Sequence, residues 1–272
     1  MIKAILARLQ QGHRTMKYPR GPAPALPPLF RGLPRLDATK CASGSAARDD
    51  APGGGAPPGA GSCDDCFRAC PTGALSGVGG LRLDLGRCLF CGACESACPA
   101  GAIAFGGDHR LSVGRREDLL VAPGAAELEL AAALGKRLRR LLGRSLKLRQ
   151  VSAGGCNACE ADVNVLNTVG WDLGRFGIQF VASPRHADGV LVTGPVTKNM
   201  ELALRKTWDA IPGPKIAIAV GSCAISGGPY AGLPESGDGV GQRLPIDLFV
   251  PGCPPHPLTI LDGLLRLVGR LR

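Results

Sequence analysis

Residues 88–99 read CLFCGACESACP, a run in which four cysteines are spaced C-x2-C-x2-C-x3-C and are followed by proline. With this spacing, three neighbouring thiolates bind one [4Fe–4S] cube and the fourth thiolate reaches a second cube. The short intervals require a tight loop, and Gly92 and Ala93 leave that loop uncrowded. The run therefore predicts a pair of clusters that share their ligands.

A second copy of the pattern lies upstream and is incomplete. Residues 63–71 (CDDCFRACP) supply three cysteines, and Ala60 stands where a fourth would be expected. The sequence LDLGRC at 83–88 is echoed by LDATKC at 36–41. On this alignment the missing ligand of the first copy is Cys41.

The repeat predicts a small domain at 35–112 with a crossed ligand set. Residues 42–62 become an inserted loop rich in Gly, Pro and Ala, which is tolerable because loop-closure entropy grows only logarithmically with length. One cube takes Cys41, Cys63, Cys66 and Cys98, and the other takes Cys88, Cys91, Cys94 and Cys70. The alternative treats Cys41 as an unrelated thiol and leaves the first site with three cysteines.

From residue 145 to residue 272 apolar runs alternate with helical patterns, which is typical of a parallel α/β sheet. The predicted strands are 146–151, 178–182, 189–193, 216–220 and 246–250. The predicted helices are 161–169, 200–210 and 258–271. We therefore predict a flavodoxin-like α/β domain after a small α+β domain of the bacterial ferredoxin type.

The remaining four cysteines, Cys156, Cys159, Cys223 and Cys253, follow predicted strand ends. Ligands of open α/β sheets bind at that carboxyl edge, so we expect these thiolates to meet there. They predict a third [4Fe–4S] cube, with zinc as the alternative for four thiolates. All twelve cysteines would then be iron ligands, and we expect no residue of this chain to perform bond chemistry.

Composition limits the class of partner. The formal net charge is +10, but aromatic residues are only 4% of the chain, and the basic residues lack the aromatic neighbours that stack on bases. We therefore expect an acidic partner subunit or anionic lipid, and no nucleic acid. The sequence shows neither an apolar run of membrane-spanning length nor a secretory signal, which favours the cytoplasm.

Two segments outside the cysteine motifs carry further expectations. In residues 1–34, Ile2, Ile5, Leu6 and Leu9 share one helical face and basic residues follow. That pattern fits docking onto membrane subunits or lipid headgroups, or equally a helix packed on this chain's own surface. Residues 113–144 are predicted to form a basic helical linker.

Four stretches carry a family resemblance: GGCNACE (154–160), VTGPV (192–196), GSCA (221–224) and VPGCPP (250–255). They resemble the small subunit of membrane-bound [NiFe]-hydrogenases and the homologous B subunit of NADH-quinone oxidoreductase. Residues 1–110 separately resemble the two-cluster ferredoxin subunit of those assemblies. The chain thus resembles a fusion of two such subunits.

The resemblance implies a non-catalytic electron-transfer subunit that passes electrons to or from a catalytic large subunit, beside membrane subunits on the inner face of the membrane. The C-x-x-C form at 156–159 resembles the hydrogenase side, including formate hydrogenlyase-type complexes. A quinone-reducing module without nickel is the alternative. A third alternative, from a different class, is a free-standing redox sensor.

The sequence allows more than one role for each of two residues near the third site. Relatives carry an acidic residue at the position of Glu160, where it would relay protons, although a carboxylate at a helix N-terminus is also favourable for electrostatic reasons alone. His256 follows Cys-Pro-Pro where relatives carry arginine. It would tune the cluster, face a quinone, or simply be a surface histidine.

Overall fold

The computed structural model describes residues 2–12, 14–41, 64–77, 80–125, 127–142 and 145–271. The predicted ligand Cys63 and the predicted insertion at 42–62 lie outside these residues. None of the helices in the described ranges has the length and apolar character needed to cross a membrane.

The N-terminal region consists of two small antiparallel sheets and short helices. Its helices are α1 (Ile2–Gln11), α2 (Asp65–Arg68), α3 (Ala93–Ser96) and α4 (Lys136–Leu142). Its strands are β1 (Pro34–Leu36), β2 (Leu75–Ser76), β3 (Arg82–Asp84), β4 (Ile103–Phe105) and β5 (Leu120–Val121). β1 pairs with β4, and β3 lies between β2 and β5.

The C-terminal region is a five-stranded parallel sheet with helices. Its strands are β6 (Leu146–Ser152), β7 (Ile178–Phe180), β8 (Gly189–Thr193), β9 (Ile216–Val220) and β10 (Leu248–Val250). Its helices are α5 (Ala158–Val165), α6 (Lys198–Ala210), α7 (Ser222–Ser226) and α8 (Pro257–Leu267). The spatial order β7-β6-β8-β9-β10 is the flavodoxin-like order 2-1-3-4-5 when these strands are numbered among themselves.

The sequence of each central strand explains its position. Every residue of β8 (GVLVT) and of β9 (IAIAV) is buried, as continuous apolar runs with β-branched residues require in a sheet covered on both faces. α8 packs on this sheet and is buried along its whole length. The prediction of a parallel α/β domain is confirmed.

Element ends differ from the sequence prediction where side chains intervene. β8 and β9 begin and end at the predicted residues. β10 begins at Leu248, two residues later than predicted. Just before it, the Asp247 carboxylate takes the place of a backbone acceptor, because it accepts a hydrogen bond from the Ala217 amide at 2.9 Å. α5 begins three residues earlier than predicted, after Asn157 in a left-handed conformation (φ 71°). In the described part of 113–144, α-helix is confined to Lys136–Leu142.

Residues 15–33, which we call the strap, cross the C-terminal region before entering β1. The Met16 amide donates to Gly170 O at 2.9 Å, and the Arg175 guanidinium donates to Tyr18 O at 2.7 Å. Farther along, the Phe30 ring packs edge-on against His256 at 5.5 Å. The strap therefore connects the outer face of the sheet domain with the N-terminal sheets.

The strap is anchored in the core by one buried polar group. Tyr18 Oη donates to Asp262 Oδ1 at 2.8 Å, and Arg266 Nε donates to Asp262 Oδ2 at 2.8 Å inside α8. Burial and the neighbouring Asp262 charge raise the pKa of Tyr18. Because the carboxylate has both partners, it can be buried without an unpaired charge.

Candidate iron–sulfur centres

The four C-terminal cysteines come together at the carboxyl edge of the sheet. Cys156 and Cys159 follow β6, Cys223 follows β9 and Cys253 follows β10. Burial raises the pKa of the Cys159 thiol, and the charges of Glu160, Cys223, Cys253 and Cys156 raise it further. Thiols that influence each other in this way form one group, as expected for ligands of a common centre.

Gly221 shows that the backbone is fitted to this group of thiols. A Cβ atom on Gly221 would lie 2.5 Å from Cys159 Sγ, well inside the normal contact distance, and the residue has φ 90°. A side chain here would displace the Cys159 sulfur, and the backbone conformation also favours glycine. Packing against the Cys159 sulfur therefore explains why a glycine stands two residues before Cys223.

The C-terminal group opens to the surface. Cys156 and Cys253 are exposed, Cys159 is half-buried and Cys223 is buried. Burial raises the pKa of Cys223 to about 11, and the charges of Cys253 and Cys156 contribute. A centre held here would lie at the sheet edge, within reach of another protein.

A second group of thiols lies inside the N-terminal region. Cys70, Cys88, Cys91 and Cys94 line one small cavity, together with apolar residues of β2 and β3. Burial raises the pKa of Cys88 to about 12, and the charges of the other three thiols raise it as well. This set combines one cysteine of the first copy with three of the second, as the crossed assignment requires.

The third group joins the two copies in the opposite sense. Cys41, Cys66 and Cys98 line another cavity, although Cys41 is far from the motif in sequence. The fourth predicted ligand, Cys63, lies outside the described residues. The structure therefore brings Cys41 to the place where the repeat predicts it.

Hydrogen bonds to sulfur repeat the internal symmetry. The Ala74 amide donates to Cys70 Sγ at 3.2 Å, and the Ala102 amide donates to Cys98 Sγ at 3.3 Å. Each donor lies four residues after its cysteine, past the Cys-Pro turn. Such bonds stabilise a thiolate, so both loops are suited to anionic sulfur.

A cluster and a single metal ion require different spacings of the thiol sulfur atoms. Within the described ranges, no three His, Cys, Asp or Glu side chains are grouped so that they could hold one metal ion. Four thiolates on one zinc would each lie about 2.3 Å from it. On a cube each thiolate binds a different iron atom, which spreads the sulfur atoms farther apart.

Glu160 is a buried carboxylate next to the group of C-terminal cysteines, and the residue is only 5% exposed. Its Oε1 accepts hydrogen bonds from Ser152 Oγ at 2.5 Å and from Thr193 Oγ1 at 2.6 Å. Within the described residues no hydrogen bond is made to Oε2. The sequence indicated Glu160 but missed its two partners, of which Thr193 belongs to the quoted stretch VTGPV.

His256 has a structural role that none of the sequence interpretations included. Its Nδ1 accepts a hydrogen bond from the Leu258 amide at 3.1 Å and so caps the N-terminus of α8. The ring lies between Phe30 and Trp171, with edge-on contacts at 5.5 and 6.1 Å. Burial lowers the pKa of His256, which keeps Nδ1 available as an acceptor.

Comparison with protein families gives two matches in the expected order. Residues 156–267 match the family described as NADH ubiquinone oxidoreductase, 20 Kd subunit. Residues 60–102 match the 4Fe-4S dicluster domain, a span that contains seven of the eight N-terminal cysteines and leaves out Cys41. The second match identifies the chain as an iron–sulfur protein.

Two curated proteins illustrate the likeness. The probable membrane-bound hydrogenase subunit mbhJ of Pyrococcus furiosus is 39% identical over 141 residues, which cover 51% of this chain and 84% of the relative. Formate hydrogenlyase subunit 7 of Escherichia coli is 38% identical over 143 residues, which cover 53% of this chain and 56% of that protein. The chain thus spans little more than half of the second relative.

Two solved structures also match. The membrane-bound sulfane sulfur reductase, an archaeal respiratory membrane complex, has a chain with 31% identity and a TM-score of 0.44, covering 50% of this chain and 75% of that one. The NAD+-reducing [NiFe]-hydrogenase in its H2-reduced state gives 22% identity and a TM-score of 0.38, and the match covers 47% of this chain and 94% of that chain.

The family match and the hydrogenase relative together show the family. This chain belongs to the family of the 20 Kd subunit of NADH ubiquinone oxidoreductase, with a 4Fe-4S dicluster domain ahead of it.

Proposed function

We propose that this chain is the electron-transfer subunit of a membrane-associated multisubunit oxidoreductase and carries three [4Fe–4S] clusters. Each cluster has four thiolate ligands from this chain. The proposed sets are Cys41, Cys63, Cys66 and Cys98; Cys70, Cys88, Cys91 and Cys94; and Cys156, Cys159, Cys223 and Cys253. The three groupings of described thiols support this partition.

One observation carries the proposal: a single side chain links the loops that carry the second and third thiol groups. Ser222 Oγ donates to Cys88 O at 2.6 Å and to Gly252 O at 3.1 Å, so that one hydroxyl links the loops of both groups. The pKa of Cys253 is raised by burial, by Cys156 and also by Cys91 of the neighbouring group. Centres held so close together are suited to electron transfer.

When bound, the clusters supply one-electron transfer, and this chain's residues position them and set their surroundings. Amide donors such as those of Ala74 and Ala102 stabilise thiolate sulfur. Buried Leu83 and Ile103 keep water away from the N-terminal thiols. Apart from proton transfer at Glu160, the chain itself performs no bond chemistry in this proposal.

The partner at the open sheet edge is proposed to be a catalytic large subunit of the hydrogenase or formate hydrogenlyase type. Exposed Cys156 and Cys253 place the third centre at the surface, where a second chain can approach. The names of both curated relatives refer to hydrogenase or formate hydrogenlyase. Any nickel ligands would have to come from that large subunit, because the proposal uses all twelve cysteines of this chain.

A quinone-reducing complex without nickel is the second candidate. The family that matches residues 156–267 takes its description from the 20 Kd subunit of NADH ubiquinone oxidoreductase. In addition, an open cavity of about 310 Å³ lies against Cys253 and is lined by Leu29, Phe30, Phe90 and His256. The cavity has aromatic and apolar walls and also contains the charged side chains of Arg31 and Asp162, and such a site beside a redox centre would suit a quinone ring.

The N-terminal helix supports a subunit of a membrane complex over a free-standing sensor. α1 has no buried residue, and the exposed fractions of Ile2 and Leu9 are 75% and 73%. A basic amphipathic helix with an uncovered apolar face is suited to anionic lipid or to membrane subunits. We propose this contact for residues 1–34, with the chain on the cytoplasmic face of the membrane.

The domain division follows the same proposal. Residues 35–112 would form a bacterial-type ferredoxin domain, 113–144 a connecting segment, and 145–272 the hydrogenase-like domain. The two parts are joined through backbone bonds of 2.9 and 3.1 Å between Val113 and Phe249. This bridge makes the connecting segment part of the interface between the two domains.

We further propose that Glu160 holds a proton at Oε2 during exchange with the large subunit. Ser152 and Thr193 hold Oε1 in place, which leaves Oε2 as the oxygen for a proton partner. Glu160→Gln should lower turnover of the complex by about 100-fold while iron content stays unchanged. Asp209→Asn, at an exposed carboxylate of α6, is the control, and an equal loss in both variants would contradict a specific role.

The test of the overall proposal is the metal content of the complex purified anaerobically with this chain from its native membrane. About one nickel with about twelve iron atoms from this chain would establish the hydrogenase-type assignment. The same iron with no nickel would move the assignment to a quinone reductase. A monomeric chain that purifies without partners would overturn both.

A further inference from the structure

A basic pocket lies on the side of the molecule where the strap crosses the sheet domain. The cavity measures about 470 Å³, and its charged lining consists of Lys17, Arg20, Arg175 and Arg270. Tyr18 and Phe176 supply aromatic walls. These residues come from the strap, from the segment before β7 and from the C-terminus, so folding gathers them from three parts of the chain.

Among the described residues that line the pocket, four are cations and none is a carboxylate. Within the described residues, Lys17, Arg20 and Arg175 take part in no salt bridge. The first acidic residue of the whole sequence is Asp37, so the strap brings no negative charge of its own. The positive charges of Lys17, Arg20 and Arg175 are therefore not neutralised by an ion pair with any carboxylate of the described residues.

Arg175 is held in position instead of moving freely in solvent. Its guanidinium donates to Met16 O at 2.5 Å and to Tyr18 O at 2.7 Å, and it lies 4.5 Å from the centre of the Phe176 ring. Burial lowers the pKa of Arg175, and only Asp172 counteracts this effect. A fixed guanidinium loses little freedom when it binds an anion.

We propose that this pocket binds a phosphate group, carried either by an anionic phospholipid headgroup or by a soluble phosphate compound. Arginine and lysine together provide the charge-assisted donors that phosphate oxygens accept. The concave shape favours a compact tetrahedral anion over a flat acidic protein surface. The site is independent of the iron–sulfur centres, so its loss and the loss of the clusters can be distinguished.

The surroundings of the pocket connect it with membrane lipid. α1, with its exposed apolar face, ends at Gln11, six residues before Lys17. A helix lying at the level of lipid headgroups would bring phosphate close to the pocket. A headgroup and a free phosphate offer the same chemistry, and the experiment has separate arms for them.

The test compares two variants of the full chain with its clusters in place. Lys17→Gln/Arg20→Gln removes two pocket cations without touching Arg175, which is needed to hold the strap. Arg205→Gln/Lys206→Gln removes two exposed cations of α6 and has the same net charge. Pyrophosphate binding is measured by calorimetry, and binding to phosphatidylglycerol vesicles is measured by flotation with and without pyrophosphate.

We expect one pyrophosphate site per chain, weakened about 30-fold in the pocket variant and unchanged in the α6 variant, with equal iron in both. Competition between pyrophosphate and the vesicles would identify a lipid headgroup as the ligand. Pyrophosphate binding without competition would identify a soluble phosphate compound. Equal behaviour of the two variants, or no site at all, would overturn the proposal.

Discussion

The two regions of this molecule use cysteine in different ways. In the N-terminal region Cys41, Cys66, Cys88 and Cys94 are buried members of the hydrophobic core. In the C-terminal region the core is built from apolar strands and from α8, and of the four cysteines at the sheet edge only Cys223 is buried. The proposed clusters of the N-terminal region are thus part of its core. The proposed cluster of the C-terminal region lies at the edge of a core that is formed by apolar residues.

The difference follows from the size of the secondary structure. The N-terminal strands have two or three residues each, too few to bury a core of their own, whereas β8 and β9 are buried along all five residues. Metal binding supplies folding free energy wherever the ligand site does not exist in the unfolded chain. We therefore expect cluster binding to decide folding in the first region and only local order in the second.

The largest effect should come from removing the clusters altogether. Structural metal sites contribute on the order of 10 kcal/mol, so the iron-free chain should lose structure around β3 and β4. β8 and β9 should keep theirs, because apolar burial holds them. Hydrogen exchange measured on both forms checks this, and equal loss of protection in both regions would contradict the division.

A smaller effect, limited to the third centre, is expected from Gly221→Ala. The new Cβ would lie 2.5 Å from Cys159 Sγ, so the sulfur must move and the iron content should fall toward about eight per chain. Gly241→Ala is the matched control, since nothing lies within 4 Å of the Cβ position there. Unchanged iron in the Gly221 variant would show that the loop adapts.

One of the hydrogen-bonded links between the two regions, the Ser222 hydroxyl, can be removed alone. Ser222→Ala removes the hydroxyl that bonds to Cys88 O and Gly252 O, and should cost about 1–3 kcal/mol of unfolding free energy. Ser236→Ala should cost less than about 0.5 kcal/mol, because its hydroxyl only reaches the adjacent Gly237 O at 3.4 Å. Denaturant unfolding of the holo forms gives both values. A loss no greater than that of the Ser236 variant would mean that the hydroxyl does not couple the regions.

The sequence predicts most of the sheet domain because its signals are local. Apolar runs mark β8 and β9 to the residue, and glycine or proline marks the loops that carry Cys223 and Cys253. The repeat also led to Cys41, because two copies of one motif share their flanking residues. Spacing and periodicity are sufficient where a contact lies within one element or one repeat.

Other features depend on contacts that leave no local pattern. The strap has neither helical nor strand periodicity, so its course to Tyr18 and Asp262, 244 residues apart, could not be predicted. The same holds for the cap made by His256 and for the link made by Ser222. The basic pocket depends on that course as well, since the strap brings Lys17 and Arg20 to Arg175.

The central claim is that twelve cysteines form three separate groups of four. It is tested most directly by counting iron in the purified holo chain and in three variants, Cys41→Ser, Cys91→Ser and Cys253→Ser, each from a different group. The account predicts about twelve iron atoms in the parent chain and about four fewer in each single variant. Unchanged iron in Cys41→Ser would contradict the crossed N-terminal assignment. Unchanged iron in Cys253→Ser would contradict a third cluster at the edge of the sheet.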